Sequence, residues 1–547
     1  MTNVRPGKSL PASLKYDLCR TALAALLLAL TAVVPLPVAV KSIFALLAII
    51  VLLLHKHSPR EYTNLEDFMV CFAVAIGIIG VCSKSSFLYP LNDWVDANCF
   101  FTVGKSMMNG IVLYRDLLEQ KGPFLYFLHG LAWLISGDTF IGVYFLEVLA
   151  ATFFLYFSYR IITLFVQSDF SILAIPVCAV LIYTSASFCD GDSVEELFLP
   201  FLAYALWIGF DAICSKRDIT KLEYFIVGLT SGLIFWSKCT VVGLYIGWYL
   251  YFAVQYLYSR KWKNLFQSIL LIICGVAVAT IPFVIYFGVH GAIADWLTVY
   301  LYNNFFLYST GDESLSSVWR VIRNILGGVY ITIGTNPQIP IMCIIALVYF
   351  VRHKMASALF LVATAASLLA FAFMGSVYHH YYSFSVNLFL PLGSIPFLNL
   401  LASVKEKKGF DILKKRIIPV ALALSIVAAC LLTPNRYLMG VSKEELPQYK
   451  FASIIGTDGS ATLLNYGFLD GGFHTTTNTL PQCKAFCLLC IIPDTLMEMQ
   501  DACIENGSIE YVVTRGEELT HRNYTCISTC EFIWNGSNVV YYLYQRV

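Results

Sequence analysis

Two aspartates three residues apart, Asp93 and Asp96, open a polar, charge-bearing stretch over residues 93–123, DWVDANCFFTVGKSMMNGIVLYRDLLEQKGP, which closes on Lys121-Gly-Pro. Similar groups recur further on. Asp190, Asp192, Glu195 and Glu196 stand close together in CDGDSVEE, Lys238 is the only charge in FWSKCT, and His379-His380 precede Tyr381-Tyr382. A carboxylate can take the proton from a hydroxyl nucleophile. Lysine and histidine can neutralise charge developing on a phosphate. Together they are the inventory for moving a group from a phosphate-bearing lipid to a hydroxyl. Each residue also has a plainer reading. Asp93 can be a helix cap or a solvated loop acid, and Asp96 a surface acid. Asp190 and Asp192 suit a turn, and Glu195 and Glu196 can complement a helix dipole. Lys238 can snorkel. His379 and His380 can be interfacial polar residues, and Tyr381 and Tyr382 can be interface anchors. What favours chemistry is convergence on one membrane face, where ionisable groups are costly to keep. On a helix, the spacing of Asp93 and Asp96 would place both on one side.

Long apolar elements must position these groups. The 547 residues are 58% hydrophobic and 13% charged, with a mean hydropathy of +0.71, against about 25% charged residues in a soluble protein. A net charge of +1 supplies no field for nucleic acid. The first apolar run lacks a clear small-residue cleavage site and leads into another span, so it reads as retained. Apolar runs long enough to cross a bilayer fall at 19–35, 38–54, 66–83, 139–159, 172–188, 197–213, 223–237, 239–257, 266–287, 338–352, 356–374, 384–402 and 417–433. Basic clusters at Lys56/Arg60, Lys216/Arg217/Lys221, Arg260/Lys261/Lys263, Arg352/Lys354 and Lys405–Arg416 then share one side, the cytoplasm. Asp211 and Arg160 fall at inner span ends and read as structural. The apolar segment 124–135 is short and reads as re-entrant or interfacial; the alternative is that it spans and 139–188 divides differently.

This scheme predicts an all-α polytopic membrane protein of about 13 transmembrane helices with a small extracytoplasmic C-terminal α/β module. Its divisions are N-terminal spans 1–83, a first outer loop 84–138, the remaining spans and outer loops 139–433, and the module 434–547. The outer segment 289–336 contains DWLTVYLYNNFFLY, whose interleaved aromatics suit a helix in the headgroup layer. The module contains β-like runs ATLLNYG, EYVVTR and NVVYYLY and a helical run TLMEMQDACIENG. Six cysteines lie in it, Cys483, Cys487, Cys490, Cys503, Cys526 and Cys530, and an even count outside the membrane suggests up to three disulfides. Free thiols and a zinc cluster are the other readings. Cys99 and Cys189, both in outer loops, form a further potential pair.

The order D96-A-N-C-F-F-T-V-G104, N-G-I-V-L-Y114-R-D116, K121-G-P123-F-L-Y-F, then Glu195-Glu196, G232-L-I-F-W-S-K238 and H380-Y-Y-S-F-S-V-N-L-F-L-P391 resembles bacterial integral-membrane GT-C glycosyltransferases of the protein O-mannosyltransferase-like and aminoarabinose-transferase-like group. The resemblance covers residues 85–400. It implies an active site outside the cytoplasm and inverting transfer from a polyprenyl-phosphate-linked sugar to a hydroxyl of an envelope glycan, lipid or protein, with membrane lipids as further partners and no nucleic acid. It implies Asp96, ahead of Asp93, as the base. Lys121, Lys238 and His379 or His380, with Tyr381, would hold the donor phosphate, and Glu195 or Glu196 would order acceptor or metal. No cofactor is demanded; a divalent cation stays open. Two departures stand out. Ala97 replaces a second acid after Asp96, and histidines stand where an arginine or lysine is usual, which would make phosphate binding there pH-dependent. The alternative is a flippase for a lipid-linked saccharide, which would need charged groups deep within spans.

Overall fold

The computed structural model describes residues 12–34, 36–54, 64–307, 317–375, 379–403, 411–534 and 537–547. Each of the thirteen expected spans coincides with helix. Among the described residues, seven helical segments are long and apolar enough to cross a membrane: Asn64–Cys82, Ile141–Thr163, Val194–Cys214, Cys239–Tyr258, Trp262–Val289, Met355–Ala372 and His380–Ser403. An eighth span forms if Val318–Thr335 and Gln338–His353, bent by 102° at their junction, count as one. Val38–Leu53, Pro123–Ile135, Phe170–Tyr183 and Ile417–Leu432 are shorter apolar helices. At ~1.5 Å per residue, the 13 residues of Pro123–Ile135 fall short of a ~30 Å hydrocarbon layer, in keeping with the re-entrant reading. The clusters at Lys56/Arg60 and Lys405–Lys408 lie outside the described residues.

Local chemistry sets the helix starts. Ser193 caps Val194–Cys214 by accepting from the Glu196 N–H at 3.1 Å. Thr220 and Glu223 form a reciprocal capping box on Lys221–Phe235. Arg217 ties this end to Asp211 at 2.6 Å and to Glu223 at 2.8 Å, which makes Asp211 structural, as its position implied. Arg160 lies over the Trp207 ring and reaches Asn64.

Two expectations about elements need correction. Asp93 does not share a helix face with Asp96, because the helix starts at Val95 and Asp93 lies before it. The segment 289–336 is more helical than expected. Ile293–Trp296 continues into a wide π-type helix, Leu297–Leu307, and Ser317–Thr335 forms a further helix that apolar periodicity left unnoticed between charged positions.

The C-terminal module is a four-stranded sheet of β1 (Leu463–Asn465), β2 (Tyr511–Arg515), β3 (Tyr524–Trp534) and β4 (Ser537–Arg546), ordered β1-β2-β4-β3. β1 and β2 run parallel and the other pairs antiparallel. The helical run expected near 495–507 is Pro493–Glu505. β3 escaped sequence reading because Cys, Ser, Thr and Glu break its apolar alternation. No cysteine is bridged. Cys99 and Cys189 are not joined: the Cys99 sulfur lies 3.7 Å from that of Cys487, and Cys483 and Cys503 lie 2.6 Å apart.

Candidate active site

The Lys121-Gly122-Pro123 turn is pinned to the Trp236-Ser237-Lys238 turn by two backbone bonds. The Gly122 N–H donates to the Ser237 carbonyl at 2.8 Å and the Phe124 N–H to the Trp236 carbonyl at 3.0 Å. A Cβ on Gly122 would stand 2.1 Å from the Trp236 oxygen, so only glycine allows this approach. The junction is braced from behind. Tyr300 bonds the Phe235 carbonyl, Asn304 donates to the Gln120 carbonyl at 2.7 Å, and Tyr114 donates to the Lys121 carbonyl at 2.5 Å. Two lysines 117 positions apart in sequence are thereby set side by side.

Around them gather the other predicted residues. The Lys238 ammonium pairs with Glu195 at 2.5 Å and lies over the rings of Tyr382 at 4.2 Å and Tyr381 at 4.7 Å. The Tyr381 hydroxyl reaches Asp96 at 3.4 Å. His379 stacks flat on Tyr381, with ring centroids 5.2 Å apart. Asp96 is partly exposed, whereas Lys121, Lys238 and Glu195 are buried. Burial is the largest influence on Lys238 and lowers its pKa; Glu195 opposes this and the neighbouring Lys121 reinforces it. Two buried cations that repel one another gain from an anion between them. Burial also pushes His379 down to about 4, so its ring is neutral at physiological pH. Without a bound anion beside it, His379 presents a neutral hydrogen-bonding ring.

Asp93 has a different place. Lys84, only 2% exposed, pairs with Asp93 at 2.5 Å and Asp190 at 2.6 Å and donates to the Tyr437 hydroxyl at 2.9 Å. Burial disfavours the Lys84 ammonium, but Asp190 and Asp93 outweigh it and hold its pKa well above the ordinary value. Asp93 is thus bound up with a cation that joins two loops to the chain leading into the module.

Glu196 belongs to a separate buried cluster. The Asp192 N–H donates to both Glu147 at 2.8 Å and Glu196 at 2.9 Å, His129 meets Asp192 at 3.0 Å, and Ser83 donates to Glu147 at 2.8 Å. Glu195 and Glu196 therefore do not form one two-acid ligand set: Glu195 faces Lys238 and Glu196 faces inward. Sequence reasoning missed Lys84, His129 and Glu147. Lys84 is as solitary in VCSKSS, after an apolar run, as Lys238 is in FWSKCT, and Glu147 is the only acid in its helix.

No family model and no curated protein matches this sequence. Solved structures do. ArnT from Cupriavidus metallidurans bound to undecaprenyl phosphate superposes with a TM-score of 0.54 at 11% identity, covering 87% of this chain and 98% of that one. The same protein in the apo state gives 0.53 at 13% identity, covering 88% and 98%. This chain shares its fold with ArnT. With seven or more apolar helices arranged in this fold, the chain is an integral multi-pass membrane protein.

Proposed function

We propose that the chain is a glycosyltransferase that moves a sugar from a polyprenyl-phosphate-linked donor to an acceptor hydroxyl of an envelope glycan, lipid or protein at the extracytoplasmic face, with inversion. The observation that carries this reading is the backbone-pinned pair Lys121 and Lys238 beside the accessible carboxylate of Asp96. The fold shared with an ArnT that binds undecaprenyl phosphate supports the choice of donor.

In this reading the acceptor hydroxyl gives its proton to Asp96 as its oxygen attacks the anomeric carbon. The bond from that carbon to the phosphate oxygen breaks on the opposite face, and the phosphate leaves with the electron pair. Lys121 and Lys238 neutralise the charge it gains. Glu195 holds Lys238 in place until the donor arrives, Tyr381 orients Asp96, and His379 and His380 offer ring nitrogens to donor oxygens. Asp93 steadies the loop through Lys84.

The test is release of polyprenyl phosphate, followed by mass spectrometry, from the protein in nanodiscs given a panel of polyprenyl-phosphate sugars and an envelope extract. Donor-selective release, reduced about 10²–10⁴-fold in Asp96→Asn, is the expected result. Release unchanged in that variant would overturn the assignment of the base. One observation favours the flippase reading instead: Glu147, Asp192, His129 and Glu196 form a buried ionisable cluster, with Glu147 the seventh residue of its helix. Transbilayer movement of a labelled lipid-linked saccharide without any release would decide for it.

A further inference from the structure

Beside the lysine pair, a second group of side chains has a composition that sugar transfer does not require. The Cys189 sulfur, an Asp190 carboxylate oxygen and a His380 ring nitrogen all lie within 4.8 Å of one another. Two of these residues come from the loop after Tyr183 and one from the segment after the His379 turn, so the fold brings them together across 190 positions of sequence.

We propose that Cys189, Asp190 and His380 form a site for a divalent ion of the zinc class. The donor types decide the class. A thiolate and an imidazole select zinc or a neighbouring transition metal, whereas magnesium and calcium prefer all-oxygen sets. Zinc holds such donors at ~2.0–2.3 Å, so the three need to close by no more than about an ångström, within reach of side-chain rotation.

The loop is built to hold its shape. Cys189 and Asp192 have φ of 51° and 62°, with Gly191 between them at 86°, left-handed values that non-glycine residues resist. External bonds fix it. The Asn435 side-chain amide donates to the Cys189 carbonyl and the Cys82 carbonyl, each at 2.7 Å, and the Lys84 N–H donates to the Asp190 carbonyl at 3.0 Å.

Charge fits as well. Lys84 faces both Asp93 and Asp190, leaving one surplus negative charge. Ionised Cys189 would add a second, its proton passing to solvent as the ion binds. A divalent ion balances both. Cys189 and His380 are only partly buried, so three protein donors leave a coordination position open, the pattern of zinc sites that take an exogenous ligand. This site does not depend on the glycosyltransferase reading, and its test does not use activity.

The full-length protein in detergent is stripped with a chelator and titrated with cobalt(II), which reports sulfur ligation as a thiolate-to-metal charge-transfer band. The expected result is saturation at about one ion per chain, no charge-transfer band in Cys189→Ser, and at least a ~10-fold weaker affinity in His380→Ala. A Cys483→Ser/Cys503→Ser double variant should keep the band. Absence of the band in the wild type, or its persistence in Cys189→Ser, would overturn the site. Should Cys189→Ser fail to fold, the wild type decides alone. Zinc should protect the Cys189 peptide from alkylation at least tenfold more than magnesium does, and equal protection would count against the proposal.

Discussion

At the scale of single residues, the most consequential side chain is one with no place in the proposed chemistry. Lys84 compensates two buried carboxylates, and breaking a buried pair by removing one partner typically costs about 3–5 kcal/mol. Lys84→Met should therefore lower the melting temperature strongly, and adding Asp93→Asn should recover part of the loss; a melt unchanged by Lys84→Met would remove the ammonium from the structural account. His379 makes a second expectation. Its pKa falls from 6.5 in the unfolded chain to about 4 in the fold, so the unfolded state binds more protons between those values. The stability it contributes is complete above pH 6.5 and is lost as pH falls towards 4. Melting temperature plotted against pH should be flatter across that window in His379→Gln than in the wild type. Residue types were the most readable feature of the sequence, because a lone charge beside an apolar run is costly wherever it ends up. Partners were not readable: nothing in FWSKCT points to Glu195, and nothing in DWVD shows that Asp93 answers to Lys84 rather than to Asp96.

At the scale of elements, the decisive contact is the edge-to-edge meeting of two turns. Gly122→Ala cannot keep it, since the new methyl would meet the Trp236 carbonyl. Overpacking of this kind costs about 1–3 kcal/mol, and a shift of about 1 Å in a positioned group can cost ~10²-fold in rate. The variant should thus lose far more donor turnover than melting temperature, as activity and thermal unfolding measured on one preparation would show. A loss of stability with normal turnover would mean that the spacing of the lysines does not matter. A further close backbone approach joins Gly104 and Gly130, where a Cβ on Gly104 would meet the Gly130 nitrogen at 2.5 Å; it seats the Asp96 helix on Pro123–Ile135. Apolar runs gave the helices away in sequence, because burial against lipid or protein needs them. The bend before Gln338, the π-type winding after Trp296 and strand β3 were illegible, since each is set by tertiary packing that overrides local pattern.

For the molecule as a whole, the scheme of basic clusters facing the cytoplasm places the module outside. Cys490 and Cys526 are exposed on it. Variants keeping only one of these cysteines should react with a membrane-impermeant maleimide in intact cells, and reaction only after lysis would invert the scheme. The module does not hang from the last helix as a separate body. Thr102 donates to Asp470 at 2.6 Å, Lys105 donates to the Thr479 carbonyl at 3.1 Å, the Leu118 N–H donates to the Lys484 carbonyl at 2.9 Å, and Tyr449 donates to the Pro90 carbonyl at 3.0 Å. The helix that carries Asp96 is therefore gripped along its flank by the tail of the chain. Thr102 and Asp470 stand 368 positions apart, yet a change in one must be answered in the other. The tail is for that reason no exchangeable cassette. A chimera that imported a relative's residues 434–547 alone would arrive with the wrong lock for its key, and a graft meant to alter acceptor choice must bring its own version of residues 90–118 with it.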